Sequence, residues 1–234
     1  MVLGAVFDVD QTLWDFSAVR NQALTAVMTM LAERATVDVS AWTNDGLQAR
    51  WDRYAASVSG EKLGTIRRWS LSDAASEAAP GDTSLGDELT DLYFSIRHGR
   101  GPAYPDVAPA LDALRSAGVL LGVVTNGNTD LDLLGLAEFF PDGVVVKASD
   151  VGAYKPEPAI YAEVERRMGL PVSALVCVGD NQQHDVTAPQ VRGWRGVWNN
   201  RDGAAADPDV APDAIVVTFD ELVPIVVDWA APAC

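Results

Sequence analysis

Cysteine is scarce in this chain, and so are long apolar runs. The only two cysteines among 234 residues, Cys177 and Cys234, form no disulfide framework, which fits a reducing compartment. No apolar run reaches the roughly 18 residues that a membrane span requires. The N-terminus lacks a basic segment followed by a long apolar stretch, and Asp8 interrupts it early. These absences predict a cytoplasmic protein without a membrane partner.

Basic residues are also in short supply. Against 33 acidic residues there are 17 basic ones, which gives a formal net charge of −16. Such a charge repels a nucleic-acid backbone or an anionic membrane, so neither is expected as a partner. A small anionic substrate stays compatible, because a metal ion and a lysine can reverse the field locally. Lysine occurs only at Lys62, Lys147 and Lys155, and nothing in the sequence indicates the oligomeric state.

Two aspartates stand where the first apolar segment ends. Residues 2–7 read as a buried strand, and Asp8 and Asp10 follow it two positions apart. In an extended chain such residues point to the same side, so the two carboxylates share one small volume. They repel each other unless a cation lies between them or one is protonated, which suits a hard divalent ion. The alternative is that Asp10 or Thr12 merely caps a turn.

A helical block follows. Ala23, Val27 and Leu31 recur at four-residue spacing, which predicts a first helix after Asp15. Further helices are predicted around residues 42–54, ending before Gly60, then over 62–77 and 85–96. Residues 98–102, His-Gly-Arg-Gly-Pro, predict a hinge. The block from 16 to 99 is therefore predicted to be an all-α domain.

From residue 105 onward, helices alternate with short, almost entirely apolar strands. Strands are predicted over 119–124, 144–146, 175–178, 195–198 and 214–217, and helices over 107–117, 130–139, 158–168, 186–192 and 220–227. This alternation is typical of a parallel sheet covered by helices on both faces. The first strand belongs to that sheet by its composition. The predicted fold is thus an α/β core of residues 1–15 and 100–234, with the helical domain inserted after strand one.

Polar side chains fall at the ends of three predicted strands. Asp8 and Asp10 follow the first strand, Thr125 and Asn126 end the next, and Asp180 with Asp185 follows the strand at 175–178. Ligands of open parallel sheets bind beyond the carboxyl ends of the strands. A lone lysine, Lys155, precedes Pro156 in a chain that has only three lysines. The placement favours a functional site over chance.

These motifs resemble those of the haloacid dehalogenase (HAD) superfamily of hydrolases. Residues 8–13, Asp-Val-Asp-Gln-Thr-Leu, are similar to its first motif, residues 124–127 to the second, Lys155-Pro156 to the third, and residues 179–185 to the fourth. The resemblance spans the chain and implies a Rossmann-like core with a mobile helical cap. Gln11 departs from a glycine that is commoner in the family, and residues 187–189 replace its usual Gly-Ala pair.

The resemblance also implies a chemistry for each position. Asp8 would be the nucleophile that forms an aspartyl-phosphate, and Asp10 the general acid and base, with its backbone carbonyl on the metal. Mg²⁺ would be the cofactor, and Lys155 would balance charge. The implied metal ligands are Asp8, Asp10, Asp180 and Asp185. The implied phosphoryl-binding residues are Thr125, Asn126 and Lys155.

An Mg²⁺-dependent phosphatase acting on a small soluble phosphate monoester is the resulting prediction. Phosphoglycolate, sugar phosphates and nucleotides stay open as substrates. Asp10 favours phosphoryl transfer, because the resemblance implies a different residue there in dehalogenating relatives, whose halide leaving group needs no proton. A phosphomutase and a non-catalytic binding protein are the alternatives. Trp14 is expected to face the site, and His184, beside Asp185, is a possible substrate contact.

Overall fold

A computed structural model describes residues 3–58, 62–98, 101–140 and 144–231. The chain divides into two compact units, one formed by residues 1–15 and 100–234 and the other by residues 16–99. Their assignment as catalytic core and cap stays a prediction. The predicted helix boundary at Gly60, the Gly99-Arg100 part of the hinge, and Cys234 lie outside the described residues.

The helical unit contains the four predicted helices. Their bounds are α1 (Phe16–Arg34), α2 (Asn44–Ser57), α3 (Leu63–Ala78) and α4 (Leu85–Arg97). Helix α2 begins where the Thr43 hydroxyl accepts a hydrogen bond from the Gly46 amide at 3.1 Å, which satisfies a donor of the first turn. Apolar side chains of α1, such as Leu24, Val27 and Leu31, are fully buried against the other helices. Burial of each such side chain contributes about 1.5–3 kcal/mol to stability.

The other unit is built on a six-stranded sheet. The strands are β1 (Gly4–Phe7), β2 (Leu120–Thr125), β3 (Val145–Lys147), β4 (Leu175–Gly179), β5 (Arg195–Asn199) and β6 (Ala214–Val216). All neighbours pair in parallel, in the order β3-β2-β1-β4-β5-β6. Strand β1 is fully buried between β2 and β4. The predicted α/β fold with a parallel sheet is confirmed.

Helices cover this sheet along the described chain. Their bounds are α5 (Val107–Ser116), α6 (Ala148–Val151), α7 (Pro158–Met168), α8 (Ala188–Val191) and α9 (Phe219–Ala230). Ile160 and Val164 of α7 pack with Val6 and Cys177 of the sheet in one buried cluster. None of the helices in the described part of the chain has the length and apolar character needed to cross a bilayer.

Two predicted helices are wrong in form. Residues 130–139 hold turns and a single 3₁₀ turn, Ala137–Phe139, instead of an α-helix. Gly135 adopts a φ of +71°, a left-handed conformation that ends a helix, although Leu131 and Leu136 are buried as the apolar pattern indicated. The helix expected over 186–192 is a π-helical turn, Gln182–Thr187, followed by the short α8.

Candidate active site

The ends of three adjacent strands meet at one edge of the sheet. Phe7 pairs with Val123 of β2 and with Val178 of β4, so the residues that follow these strands are neighbours in space. The Asp8 amide donates to the Val178 carbonyl at 2.9 Å, which fixes the start of the turn after β1. The sheet order therefore brings together segments that are far apart in the sequence.

Lys155 lies between two buried carboxylates. Its Nζ is 2.6 Å from Oδ1 of Asp8 and 2.7 Å from Oδ1 of Asp185, and its side chain is 3% exposed. Burial alone would lower the pKa of Lys155, but the two carboxylates outweigh it and hold that pKa well above its usual range. The lysine is thus a fixed positive charge against Asp8.

Asn126 holds the backbone of Lys155. The Asn126 Nδ2 donates to the Lys155 carbonyl at 3.0 Å, and its Oδ1 accepts from the Lys155 amide at 2.7 Å. The peptide bond between Lys155 and Pro156 is cis. The family resemblance implied that Asn126 binds the phosphoryl group. In the structure its side chain connects the end of β2 to the lysine, and a phosphoryl contact stays a prediction.

Three carboxylates form a cluster that fits a hard cation. Asp8, Asp180 and Asp185 each offer an oxygen within 4.8 Å of the others. Burial raises the pKa of Asp8 to about 8, with Lys155 opposing the shift and the neighbouring carboxylates adding to it. Burial and the charge of Asp185 raise the pKa of Asp180 to about 7. A divalent ion would offset this repulsion, and an all-oxygen donor set suits Mg²⁺.

The π-helical turn positions Asp185 behind the cluster. Asp185 is fully buried, and its Oδ2 accepts from the Asn181 amide at 3.1 Å. The Asn181 Oδ1 in turn accepts from the Gln183 and His184 amides, which caps the start of the turn. Gly179 leaves room for this arrangement, because a Cβ at that position would overlap the Asp185 carboxylate.

Thr12 connects two of the cluster's aspartates. Its hydroxyl donates to Oδ2 of Asp8 at 3.4 Å and accepts from the Asp180 amide at 3.1 Å. Gln11, just before it, has a φ of +67°, a left-handed conformation that favours glycine, which explains why glycine would suit this position. The Gln11 amide donates to the Trp14 carbonyl at 3.0 Å, and its side chain donates to Asp202.

Asp10 faces different partners from Asp8. Its Oδ1 accepts from the Trp14 indole nitrogen at 2.9 Å and from the Thr129 hydroxyl at 2.7 Å. The carboxylate cluster described above contains no oxygen of Asp10 among the residues that the structure describes. Metal binding through the Asp10 carbonyl stays a prediction.

These residues line a pocket of about 170 Å³. It is lined by Asp8, Asp10, Thr125, Asn126, Gly127, Lys155, Asp180, Asn181, His184 and Asp185. All seven residues that were predicted to act in catalysis, metal binding or phosphoryl binding therefore line one pocket, whereas Trp14 is not among its lining residues. His184 also reaches the pocket, and burial lowers its pKa. The Thr125 hydroxyl accepts from the Gly127 amide at 2.9 Å, which shapes the loop after β2.

Four further residues contribute to the site although no individual role was predicted for them: Gly127, Thr129, Gly179 and Asn181. Thr129 donates to Asp10, and Asn181 caps the π-helical turn. The two glycines leave space for carboxylates. Gly127, Gly179 and Asn181 lie within the predicted motifs, which was the available signal for them. Thr129 lies just beyond the second motif, and its partner Asp10 comes from another segment of the chain.

Comparison with known proteins agrees with this geometry. The model of a haloacid dehalogenase-like hydrolase family matches residues 2–191. The chain belongs to this family. The predicted HAD superfamily membership is therefore confirmed, and the protein is a hydrolase of that superfamily.

Relatives of this HAD hydrolase include phosphatases and dehalogenases. A phosphoserine phosphatase from Thermus thermophilus is 31% identical over 187 residues, 76% of this chain and 74% of the relative. A phosphoglycolate phosphatase from Shigella boydii is 29% identical, over 95% of this chain and 92% of the relative. The solved structure of a 2-haloacid dehalogenase from Pseudomonas syringae has a TM-score of 0.77 and 32% identity, covering 98% of this chain and all (100%) of that one.

Proposed function

We propose that this HAD hydrolase is an Mg²⁺-dependent phosphatase that cleaves a small phosphate monoester through a phosphorylated Asp8. The observation that carries the proposal is the pairing of Asp8 with Lys155 at 2.6 Å beside the carboxylates of Asp180 and Asp185. A nucleophilic carboxylate needs nearby positive charge to approach an anionic phosphate. The names of the relatives, phosphoserine and phosphoglycolate phosphatases, support the same class of substrate.

Asp8, Asp180 and Asp185 would hold the metal ion. When bound there, Mg²⁺ supplies positive charge that neutralises the carboxylates and the phosphate oxygens. The two oxygens of Asp8 have different partners: Oδ1 accepts from Lys155, and Oδ2 accepts from the Thr12 hydroxyl. Lys155 keeps its proton throughout and balances the charge that moves between Asp8 and the phosphoryl group.

Asp8 and Asp10 then divide the reaction between them. An oxygen of Asp8 bonds to phosphorus while the bond from phosphorus to the leaving oxygen breaks, and Asp10 gives that oxygen its proton. In the second half, water bonds to phosphorus, loses a proton to Asp10, and the bond from Asp8 to phosphorus breaks. Thr125 and the amides around Asn126 would bind the phosphoryl oxygens.

Dehalogenation of a 2-haloacid is the second candidate, since the Pseudomonas syringae structure is 32% identical. Two features argue for phosphate. The carboxylate cluster fits a cation that a neutral carbon centre does not require. Asp10, held within the pocket, offers a proton that a departing halide does not need.

Phosphate release from p-nitrophenyl phosphate and from a panel of phosphorylated metabolites tests the proposal. The panel contains phosphoserine, phosphoglycolate, sugar phosphates and nucleotides. We expect hydrolysis that requires Mg²⁺ and stops with EDTA. Halide release from 2-chloropropionate without phosphate release would support the dehalogenase instead. Conversion of one sugar phosphate into another without loss of phosphate would identify a phosphomutase, and inactivity on every compound would favour a binding protein.

A further inference from the structure

Tyr161 connects helix α7 to the π-helical turn that carries Asp185. Its hydroxyl donates to the His184 carbonyl at 2.6 Å, and the residue is fully buried. The peptide group that begins with this carbonyl ends with the Asp185 amide, which donates to the Asn181 carbonyl at 2.8 Å. The peptide group between His184 and Asp185 is therefore held at both its oxygen and its nitrogen.

The His184 carbonyl receives its donor from outside the turn. At the end of the turn, the Ala188 amide donates to the Gln183 carbonyl, five residues earlier. In this register the residue that would donate to His184 is Pro189, which has no N–H. Backbone carbonyls inside a protein require a hydrogen-bond partner, and the Tyr161 hydroxyl takes the place of the missing amide.

The ring of Tyr161 is held by its neighbours. It packs edge-on against Trp194, with ring centroids 6.0 Å apart and ring planes at 90°. The Trp194 indole donates to Glu165 at 2.9 Å, and Arg192 donates two hydrogen bonds to the same carboxylate, each at 2.7 Å. The hydroxyl therefore approaches the turn from a fixed direction and can set the position of the turn.

Asp185 carries this position into the carboxylate cluster. Its Oδ1 lies 2.7 Å from the Lys155 Nζ, and it shares the cluster with Asp8 and Asp180. A shift of the peptide group before Asp185 would move its carboxylate relative to both of these partners. Removal of a group that orients a metal ligand typically lowers metal affinity by roughly 10- to 100-fold.

We propose that Tyr161 is a positioning residue for the metal site, because its hydroxyl replaces the N–H that Pro189 lacks and thereby fixes Asp185 for Mg²⁺. This inference rests on the proposed Mg²⁺-dependent function. Tyr161 is not among the lining residues of the active-site pocket, so its effect falls on the affinity for Mg²⁺ and not on the chemical step.

Calorimetric titration of Mg²⁺ into the substrate-free protein tests the proposal. Tyr161→Phe removes the hydroxyl and keeps the ring, and we expect it to weaken Mg²⁺ binding about 10-fold. In the hydrolysis of p-nitrophenyl phosphate, the Mg²⁺ concentration that gives half the maximal rate should rise by the same factor. The value of kcat at saturating Mg²⁺ should stay within about 2-fold of wild type.

A second substitution supplies the donor by another route. Pro189→Ala returns an N–H five residues after His184. The double variant Tyr161→Phe/Pro189→Ala should therefore recover an Mg²⁺ affinity within about 3-fold of wild type, which is a coupling that two independent sites would not show. Pro189→Ala alone keeps the tyrosine hydroxyl and should bind Mg²⁺ as wild type does.

Tyr93→Phe is the matched control, since it removes the hydroxyl of a buried tyrosine in α4 of the helical unit. It should leave the Mg²⁺ affinity unchanged whatever its effect on Tm, which separates positioning from a general loss of stability. Wild-type affinity in Tyr161→Phe, or a double variant as weak as Tyr161→Phe, would overturn the proposal. Wild-type protein that binds no Mg²⁺ would overturn the proposed function and this inference together.

Discussion

Lys155 is the single positive side chain that faces both Asp8 and Asp185 in the described site. We expect Lys155→Met to lower the free energy of unfolding by roughly 3 kcal/mol, because two buried carboxylates would lose their counter-charge. Urea unfolding in the presence of EDTA measures this loss. Lys147→Met, at a half-buried lysine of β3, is the matched control and should cost much less. Equal losses for the two variants would contradict the role of Lys155 in stability.

Asp8 is the proposed nucleophile, so its carboxylate cannot be replaced by an amide. Asp8→Asn is expected to lower kcat by at least about 10⁴-fold while the protein stays folded. Circular dichroism and phosphate release from p-nitrophenyl phosphate measure the two effects. Asp130→Asn, at an exposed aspartate of the same unit, should retain full activity. A near-normal rate for Asp8→Asn would show that another residue attacks phosphorus.

Asp10 is expected to contribute through proton transfer. Asp10→Asn should reduce kcat/KM for alkyl phosphates by roughly 10²–10⁴-fold, the usual contribution of a general acid. The loss should shrink for esters with very good leaving groups. A loss of the same size for every ester would point to metal binding by Asp10 instead.

Seven of the charged and polar residues that line the pocket were predicted as site residues from the sequence, because their motifs are local. Asp8 and Asp10 lie two apart just after one strand, and Asp180 and Asp185 flank one turn, so short-range geometry was sufficient. The contact between Thr129 and Asp10 could not be predicted in that way. Thr129 approaches Asp10 only because β2 lies beside β1 in the sheet.

At the scale of elements, the π-helical turn after β4 depends on a close approach. Gly179 lies against Asp185, and Gly196 of β5 lies against the backbone of Val186, where an added Cβ would come within 2.8 Å. Neither of these close contacts can be predicted from a sequence pattern. The sequence therefore predicted a helix only over residues 186–192, and it missed the π-helical turn that begins at Gln182.

Gly179→Ala tests that approach. The added methyl group would displace the Asp185 carboxylate, so we expect weaker Mg²⁺ binding and a loss of roughly 1–3 kcal/mol from overpacking. Calorimetric Mg²⁺ titration and urea unfolding report the two effects. Gly46→Ala in α2 is the control, because its Cβ would lie an ordinary 3.5 Å from the Thr43 hydroxyl. Unchanged Mg²⁺ affinity in Gly179→Ala would separate Asp185 from the metal site.

At the scale of the whole molecule, the raised pKa values of Asp8 and Asp180 make stability depend on pH. Both values, about 8 and about 7, lie above the ordinary 3.8 of an unfolded aspartate. The folded protein therefore binds more protons than the unfolded chain near neutral pH, and this stabilisation is lost as the pH rises through 7 to 8. His184, whose pKa is lowered, is already neutral in that range and adds no opposing change.

We accordingly expect Tm in EDTA to fall between pH 7 and pH 9. Mg²⁺ binds the deprotonated carboxylates, so the increase in Tm that it causes should be larger at pH 9 than at pH 7. Thermal unfolding with and without MgCl₂ measures both trends. Asp180→Asn should flatten them. A Tm in EDTA that rises across this range would contradict the pKa shifts.

The central position of β1 also has a consequence for how the molecule is made. Strand β1, which precedes the proposed nucleophile, is hydrogen-bonded on one side to β4. Most of the described sequence lies between these two strands. During translation β1 cannot pair with β4 until residues 175–179 have left the ribosome. Contacts of such long sequence separation form late and slowly. The site therefore assembles only once residues 175–185 have been synthesised, and a nascent chain shorter than this holds Asp8 without its partners from beyond β4.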